Sequence, residues 1–202
     1  MNRFKRRLMA MGSAIALLTA ASPAFAYTNT AYINQPGSYN TAYQYQGGGN
    51  GNLANIQQYG VGGSATQVQF GYANFAYIGQ AGYGNAASQL QIGGYNSAVA
   101  IQTGNYNTST QTQVGYGNYA LVNQSGSYNS ASQYQSGYSH VALIDQSGNY
   151  NTASQVQYGS SNYASINQGG SYNTASQTQF DGGNVAVITQ GGNGNVATQV
   201  QH

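Results

Sequence analysis

Asn162-Tyr163-Ala164-Ser165-Ile166-Asn167-Gln168, followed after four residues by Asn173-Thr174-Ala175-Ser176-Gln177-Thr178-Gln179, is one copy of a two-armed unit that fills nearly the whole chain. The first arm reads N-x-A-x-I-x-Q and the second N-x-A-x-Q-x-Q; a four-residue connector, usually with Gly second, follows each. Outward from this copy, the Asn slots fall at Asn29, Asn40, Asn52, Gly63, Asn74, Asn85, Asn96, Asn107, Asn118, Asn129, His140, Asn151, Asn162, Asn173, Asn184 and Asn195. Successive slots keep one fixed spacing, that of Asn162 to Asn173, except Asn40 to Asn52, where Gly47-Gly48-Gly49-Asn50-Gly51 adds one position. The closing Gln slots run without substitution through Gln35, Gln46, Gln58, Gln69, Gln80, Gln91, Gln102, Gln113, Gln124, Gln135, Gln146, Gln157, Gln168, Gln179, Gln190 and Gln201. Sixteen arms make eight copies, and self-similarity at a fixed period marks a repeat array in which each unit depends on its neighbours.

Each arm alternates with period two, as a half-buried β-strand does. One face carries Asn, Ala, Ile or Gln, and the final Gln; the other carries residues such as Tyr163, Ser165 and Asn167. A helical period does not fit, and the Gly that recurs in the connectors opposes helix. The pattern therefore predicts an all-β chain: a two-sheet β-solenoid of eight stacked strand–arc–strand rungs, one rung per two-armed copy, with amyloid-like cross-β geometry. The arc glycines Gly37, Gly60, Gly82, Gly126, Gly148, Gly170 and Gly192 are expected to supply positive φ in tight turns. Inside, Ala is expected to face Ala, and the aliphatic residues Ile33, Ile56, Ile78, Val122, Ile144, Ile166 and Ile188 to face Gln. Ala100-Ile101 breaks the aliphatic slot, so packing is expected to weaken around the third to fifth rungs. Tyr106, Tyr128, Tyr150 and Tyr172, each one full copy after the last, are expected to stack along one corner.

Composition narrows the function classes. Of 202 residues only 3% are charged, while Gly counts 29, Tyr 20, Pro 2, and Cys and Trp none. Low charge with abundant Asn, Gln and Tyr fits the class that associates through β-structure rather than ordinary disorder. The absence of Cys excludes disulfide staples and thiolate metal sites.

The stretch before Tyr27 reads differently. Arg3, Lys5, Arg6 and Arg7 precede a largely apolar run from Leu8 to Ala21, and Ala24-Phe25-Ala26 supplies a small-x-small cleavage site. This predicts a secretory signal peptide over residues 1–26, cleaved before Tyr27, and one repeat domain over 27–202. All 4 Lys and Arg lie in the leader, so the precursor's net charge of +2 becomes about −2 from the 2 remaining acids, Asp145 and Asp181. Without Lys or Arg the mature chain lacks the means to neutralise phosphates, which excludes nucleic acid as an expected partner.

Soluble solenoids cap their terminal repeats and blunt their edge strands. Here the pattern starts just past the expected cleavage site, and the copy from Asn184 to Gln201 reads like an interior one. The expected partner is therefore a second copy of the chain, added head to tail. The N-x-A-x-x-x-Q arms joined by x-G-x-x arcs, behind a leader, resemble the curlin repeat of curli subunits, over residues 29–201. That resemblance implies a secreted subunit of extracellular, cell-surface amyloid fibres (curli, a type of pilus) in the bacterial biofilm matrix, reached via the periplasm and serving adhesion and aggregation. It also implies three kinds of partner: an outer-membrane secretion pore, chaperone-like accessory factors and a nucleating minor subunit. The Asn, Gln and arc-Gly slots carry self-assembly in that reading. Uniform copies without basic residues near Gln201 resemble the major subunit more than the nucleator, although no non-repeat segment separates the leader from the repeats.

Other chemistry finds little footing. His140 sits in an Asn slot, where bonding into the amide ladder is a better reading than ligating a metal. A Ser–His140–Asp145 triad mixes inward and outward positions, so neither an enzyme nor a small-molecule substrate or cofactor is expected. The alternative is a soluble ice-binding solenoid, using the outward pairs Thr108/Thr110, Thr152/Ser154 and Thr174/Ser176. Outward residues of the first arms (Leu53, Phe75, Leu121, Leu143, Val185) look more apolar than those of the second, a face suited to lateral bundling.

Overall fold

A computed structural model describes residues 28–202 and the backbone of Ile15–Ala20. The rest of the expected leader and its cleavage site lie outside the described residues. The repeats form two parallel sheets wound as a β-solenoid of eight rungs, and no described residue is helical.

One sheet holds the first arms: β2 (Thr30–Asn34), β4 (Leu53–Gln58), β6 (Phe75–Tyr83), β8 (Ser97–Asn105), β10 (Tyr119–Ser127), β12 (Val141–Asn149), β14 (Tyr163–Ser171) and β16 (Val185–Gln190). The other holds the second arms: β3 (Thr41–Gly47), β5 (Ser64–Tyr72), β7 (Ala86–Gly94), β9 (Thr108–Tyr116), β11 (Ser130–Tyr138), β13 (Thr152–Ser160), β15 (Thr174–Gln179) and β17 (Val196–Gln201). Ile15–Ala20 (β1) adds to this second sheet, parallel to β3 with Leu18 opposite Gln44. Pairing is in register throughout: Ala142 opposes Ala164, Ile144 opposes Ile166 and Gln146 opposes Gln168. The extra residue between Asn40 and Asn52 is absorbed in the turn Gly48–Gly51, so the register resumes intact at β4 and β5.

The period-two alternation survives as burial. From Ala54 to Ala186 the Ala slots are nearly inaccessible, as are Ile56, Ile78, Val122, Ile144 and Ile166, while intervening residues meet solvent. Across the interior, however, the pairing differs from the sequence expectation. Aliphatic residues pack on alanines: Val122, Ile144, Ile166 and Ile188 cluster with Ala131, Ala153 and Ala175. The first-arm alanines face the second-arm glutamines instead, which donate to the carbonyls just beyond them, as Gln133 does to Leu121 and Gln155 to Leu143. The arc explains this. It reverses the chain, so the third position of one arm lies across from the fifth position of the other.

The arc glycines also have a different principal role. Gly82, Gly126, Gly148, Gly170 and Gly192 do take positive φ, but Gly37 and Gly60 do not. At both of these, a Cβ would collide with the carbonyl oxygen of the arc on the next rung, that of Gly60 and Gly82 respectively. Close axial stacking of the arcs, more than φ, demands glycine.

The core is split in two. Ile56, Ile78, Ala65, Ala87 and Ala100 form one cluster, and Val122 through Ile188 form the other. The division falls at the fourth rung, where Ala100 stands in the aliphatic slot, as expected from sequence. Ser109 replaces the alanine it faces, a second change that sharpens the break.

Candidate assembly surfaces

Below the last rung, each buried glutamine has two amide hydrogens and uses both. Along the axis, Nε2 donates to Oε1 of the glutamine one rung higher: Gln102 to Gln124, Gln124 to Gln146 and Gln146 to Gln168, at 2.9, 2.8 and 2.8 Å. Across the interior, the same Nε2 donates to a backbone carbonyl of the opposite sheet, as Gln124 does to Thr108 and Gln135 to Tyr119, both at 3.0 Å. The carbonyls fix which end of each amide is nitrogen, because a carbonyl can only accept. The ladders therefore all point one way, donors towards the higher-numbered rung.

Three such glutamine ladders run through all eight rungs. Two are the expected ones, Gln35 to Gln190 in the first sheet and Gln46 to Gln201 in the second. The third was not singled out from the sequence: Gln44, Gln67, Gln89, Gln111, Gln133, Gln155, Gln177 and Gln199, with Nε2–Oε1 distances of 2.7 to 3.0 Å. Its signal was present, since the second arm carries Gln where the first carries Ile.

The asparagines at the strand entrances make a different ladder. Oδ1 accepts the backbone N–H of the slot one rung higher, as Asn96 does from Asn118 and Asn151 from Asn173. Nδ2 donates to the arc-glycine carbonyl one rung higher, as Asn129 does to Gly148 and Asn173 to Gly192. The second-arm ladder is interrupted at Gly63, which donates its backbone N–H to Asn40 and has no side chain to continue the series. The first-arm ladder continues through His140, which is fully buried. Its Nδ1 accepts the Asn162 N–H at 3.3 Å and its Nε2 lies 3.2 Å from the Ser136 carbonyl, so the neutral ring with its proton on Nε2 imitates the amide. Burial pushes its pKa below the ordinary imidazole value, with bonds to the Ser136 and Gly159 carbonyls opposing that shift in part.

The outward residues are less specialised. Asp145 is exposed and accepts from Asn123 Nδ2 at 3.1 Å, on the opposite side of the strand from the His140 ring. No group of three or more metal-ligating residues occurs among the described residues. Tyr106, Tyr128, Tyr150 and Tyr172 stack as expected, with centroids 5.1, 4.9 and 4.9 Å apart. All four take φ between 55° and 59°, a left-handed conformation that costs a non-glycine residue about 1–2 kcal/mol. A stacked pair returns about 0.5–1.5 kcal/mol, so the three pairs offset only part of what the four left-handed residues cost. Apolar surface is not confined to the first arms: Leu53, Ile101, Val185 and Val187 are exposed there, and Phe70, Ile92, Val196 and Val200 on the second.

The two end rungs differ from the six between them in what they leave unused. On β16 and β17, Gln190 and Gln201 donate only across the interior, and no bond engages Gln199 Nε2. On the first rung Gln35, Gln44 and Gln46 donate upward and receive no bond from another described residue; Gln44 Oε1 is buried without a donor. Inward slots that are sealed elsewhere are half-buried on β2 and β17, at Ala31, Ile33, Ala197 and Gln201. One end thus offers donors; at the other, the matching acceptor positions are open at Gln35 and lie beneath β1 at Gln44 and Gln46, so removal of the leader exposes all three. No protein-family model and no curated protein matches the chain.

Proposed function

We propose that the chain, freed of its leader, is a secreted structural subunit that polymerises head to tail into amyloid-type fibres of a bacterial extracellular matrix, as its resemblance to curlin repeats implies. The observation that carries the proposal is the complementarity of the ends. Three unspent glutamine donors on the last rung match the acceptor positions Gln35, Gln44 and Gln46 on the first, the last two exposed once β1 is removed with the leader, in a register set by the same arms. A second copy placed on Gln190, Gln199 and Gln201 continues each ladder through Gln35, Gln44 and Gln46 and seals the half-buried alanines of both ends. By the same resemblance, an outer-membrane pore, chaperone-like factors and a minor nucleator are its partners in export and initiation, and adhesion and aggregation are its roles.

Purified mature chain at micromolar concentration is expected to form β-rich fibres after a lag that preformed fibres shorten, read by circular dichroism and electron microscopy. A folded chain that stays monomeric overturns the proposal. Gln199→Glu isolates the junction: its carboxylate still accepts from Gln177 but has no donor for Gln44. Loss of that bond against a buried acceptor is worth roughly 1–3 kcal/mol, raising the critical concentration between about fivefold and about a hundredfold. Acidification, which restores an O–H donor, should reverse the defect.

A second reading, an ice-binding solenoid, draws on the in-register hydroxyl columns Thr108, Ser130, Thr152, Thr174 and Thr110, Ser132, Ser154, Ser176. Thermal hysteresis from monomeric protein would favour it. Tyr43, Ala86 and Val196 interrupt the columns at their ends.

A further inference from the structure

The corner occupied by the stacked tyrosines is filled differently from rung to rung. Equivalent turn residues, each donating its N–H to the rung below, are Gly62, Gly84, Tyr106, Tyr128, Tyr150, Tyr172 and Gly194. Glycine suits the left-handed backbone there; tyrosine does not, yet it fills four consecutive rungs. Tyr128 and Tyr150 are nearly parallel, 2° apart, as are Tyr150 and Tyr172 at 1°. Their faces are occupied by one another, whereas about half of each side chain is open to solvent (48% for Tyr128, 46% for Tyr150). What the corner offers outward is therefore a column of ring edges, the phenolic O–H groups and the carbons ortho to them. Flat ligands that need a ring face, such as a sugar ring, are poorly served by this geometry.

We infer that this column is a site of oxidative dityrosine cross-linking, in which peroxide and a one-electron oxidant such as a haem peroxidase join neighbouring rungs covalently. Each of two adjacent phenols gives up one electron and one proton and becomes a phenoxyl radical, with spin density on the ortho carbons. The two radicals form one carbon–carbon bond between ortho positions, and the ortho hydrogens shift to the oxygens to restore both phenols. The two electrons and two protons reduce one hydrogen peroxide to two waters, so the step balances. The stack holds partners about 5 Å apart before oxidation, which makes coupling effectively unimolecular. Each such bond ties two neighbouring rungs together; one at each of the three contacts, consuming three peroxides, ties the fourth to the seventh. Cross-linking of this kind needs only the folded repeat and does not depend on polymerisation.

Asp145 provides the cleavage point for a test. The full chain is treated with hydrogen peroxide and a haem peroxidase, cut on the amino side of aspartate, and run on a denaturing gel. Tyr106 and Tyr128 then lie on the piece 1–144, and Tyr150 and Tyr172 on the piece 145–180. A Tyr128–Tyr150 bond keeps these pieces together at the mass of their sum, with dityrosine fluorescence. The double variant Tyr128→Phe/Tyr150→Phe keeps the stacked rings but cannot form the radicals, and the joined fraction should fall about tenfold. Tyr134→Phe/Tyr158→Phe, whose rings are tilted by 52° at 5.6 Å, should leave it unchanged. Circular dichroism checks that both variants retain β-structure. Clean separation of the pieces in the parent chain, or equal loss in both variants, overturns the inference.

Discussion

At the same two facing slots, the seventh rung places Ile166 on Ala175, whereas the fourth places Ala100 on Ser109. The first pair belongs to a continuous apolar layer. The second interrupts it, and Ser109 Oγ is buried with no partner. Yet the amide ladders cross the fourth rung undisturbed: Gln80 donates to Gln102 and Gln102 to Gln124, at 2.8 and 2.9 Å, while Gln89 and Gln111 continue the third ladder. Register and continuity thus rest on the ladders, and the apolar layer adjusts local strength. This division fits a thin interior where alanine is the usual apolar residue and a single Ile or Val per rung supplies most of the hydrophobic burial.

The sharpest way to break the comparison is to remove a ladder amide from the weak rung. Gln111→Leu leaves Gln89 Nε2, Gln133 Oε1 and the Val99 carbonyl without their bonds. At about 1–3 kcal/mol for each of the three groups left unsatisfied, the loss is roughly 3–9 kcal/mol, read as a lower guanidinium midpoint. If the fourth rung tolerates this change as well as it tolerates Ala100, the ladders are not what carries continuity. The next test weakens the strong rung. Ile166→Ala should cost about 2–5 kcal/mol through transfer and cavity terms, and hydrogen exchange should then show the seventh rung opening as readily as the fourth.

Two substitutions sharpen the comparison from the other side. Ala100→Val, matching Val122 directly above it, adds two buried methyl groups and should gain about 1 kcal/mol. Ser109→Ala restores the repeat's own residue, frees the structure of an unsatisfied hydroxyl and should gain about 1 kcal/mol or slightly less. Together they should merge the two apolar clusters, and amides of β8 and β9 should exchange more slowly. No change in exchange at these strands would mean that the interruption is energetically silent.

Much of this architecture was legible from spacing alone. Alternation within each arm and an even step between arms leave one strand-and-arc solution, and the extra residue at Gly47–Gly51 could be assigned to a turn because the slots resume beyond it. Three features were not legible from spacing. Which inward residues meet across the interior depends on the arc reversing the chain, so Ile166 meets Ala175 and not Gln177. The demand for glycine at Gly37 and Gly60 comes from a neighbouring rung's carbonyl, a contact no local turn rule contains. The polarity of the ladders follows from cross-sheet bonds that pin each amide, and a list of glutamine positions does not supply these.

The smallest expected effect concerns the sixth rung, where the ladder passes through an imidazole. His140 contributes an acceptor at Nδ1 to the Asn162 N–H and a donor at Nε2 to Ser136. Its immediate surroundings are Asn118, Asn162 and the backbone of Ser136, Gly137 and Gly159, none of them ionisable; Asp181, a rung further on, meets Asn162 through its main-chain oxygen. Protonation would place an N–H at Nδ1 directly against the Asn162 N–H, two donors with no acceptor between them. Because burial holds the folded pKa below the unfolded value of 6.5, the unfolded chain takes up the proton first as pH falls. Stability from this site is therefore complete above that value and declines as pH drops through it towards the folded pKa. His140→Asn replaces the imidazole with the amide found in the neighbouring slots and should abolish this part of the acid dependence while leaving stability at neutral pH equal or slightly higher. Guanidinium midpoints measured along a pH series for parent and variant decide the matter: parallel profiles would show that the buried ring is never asked to ionise.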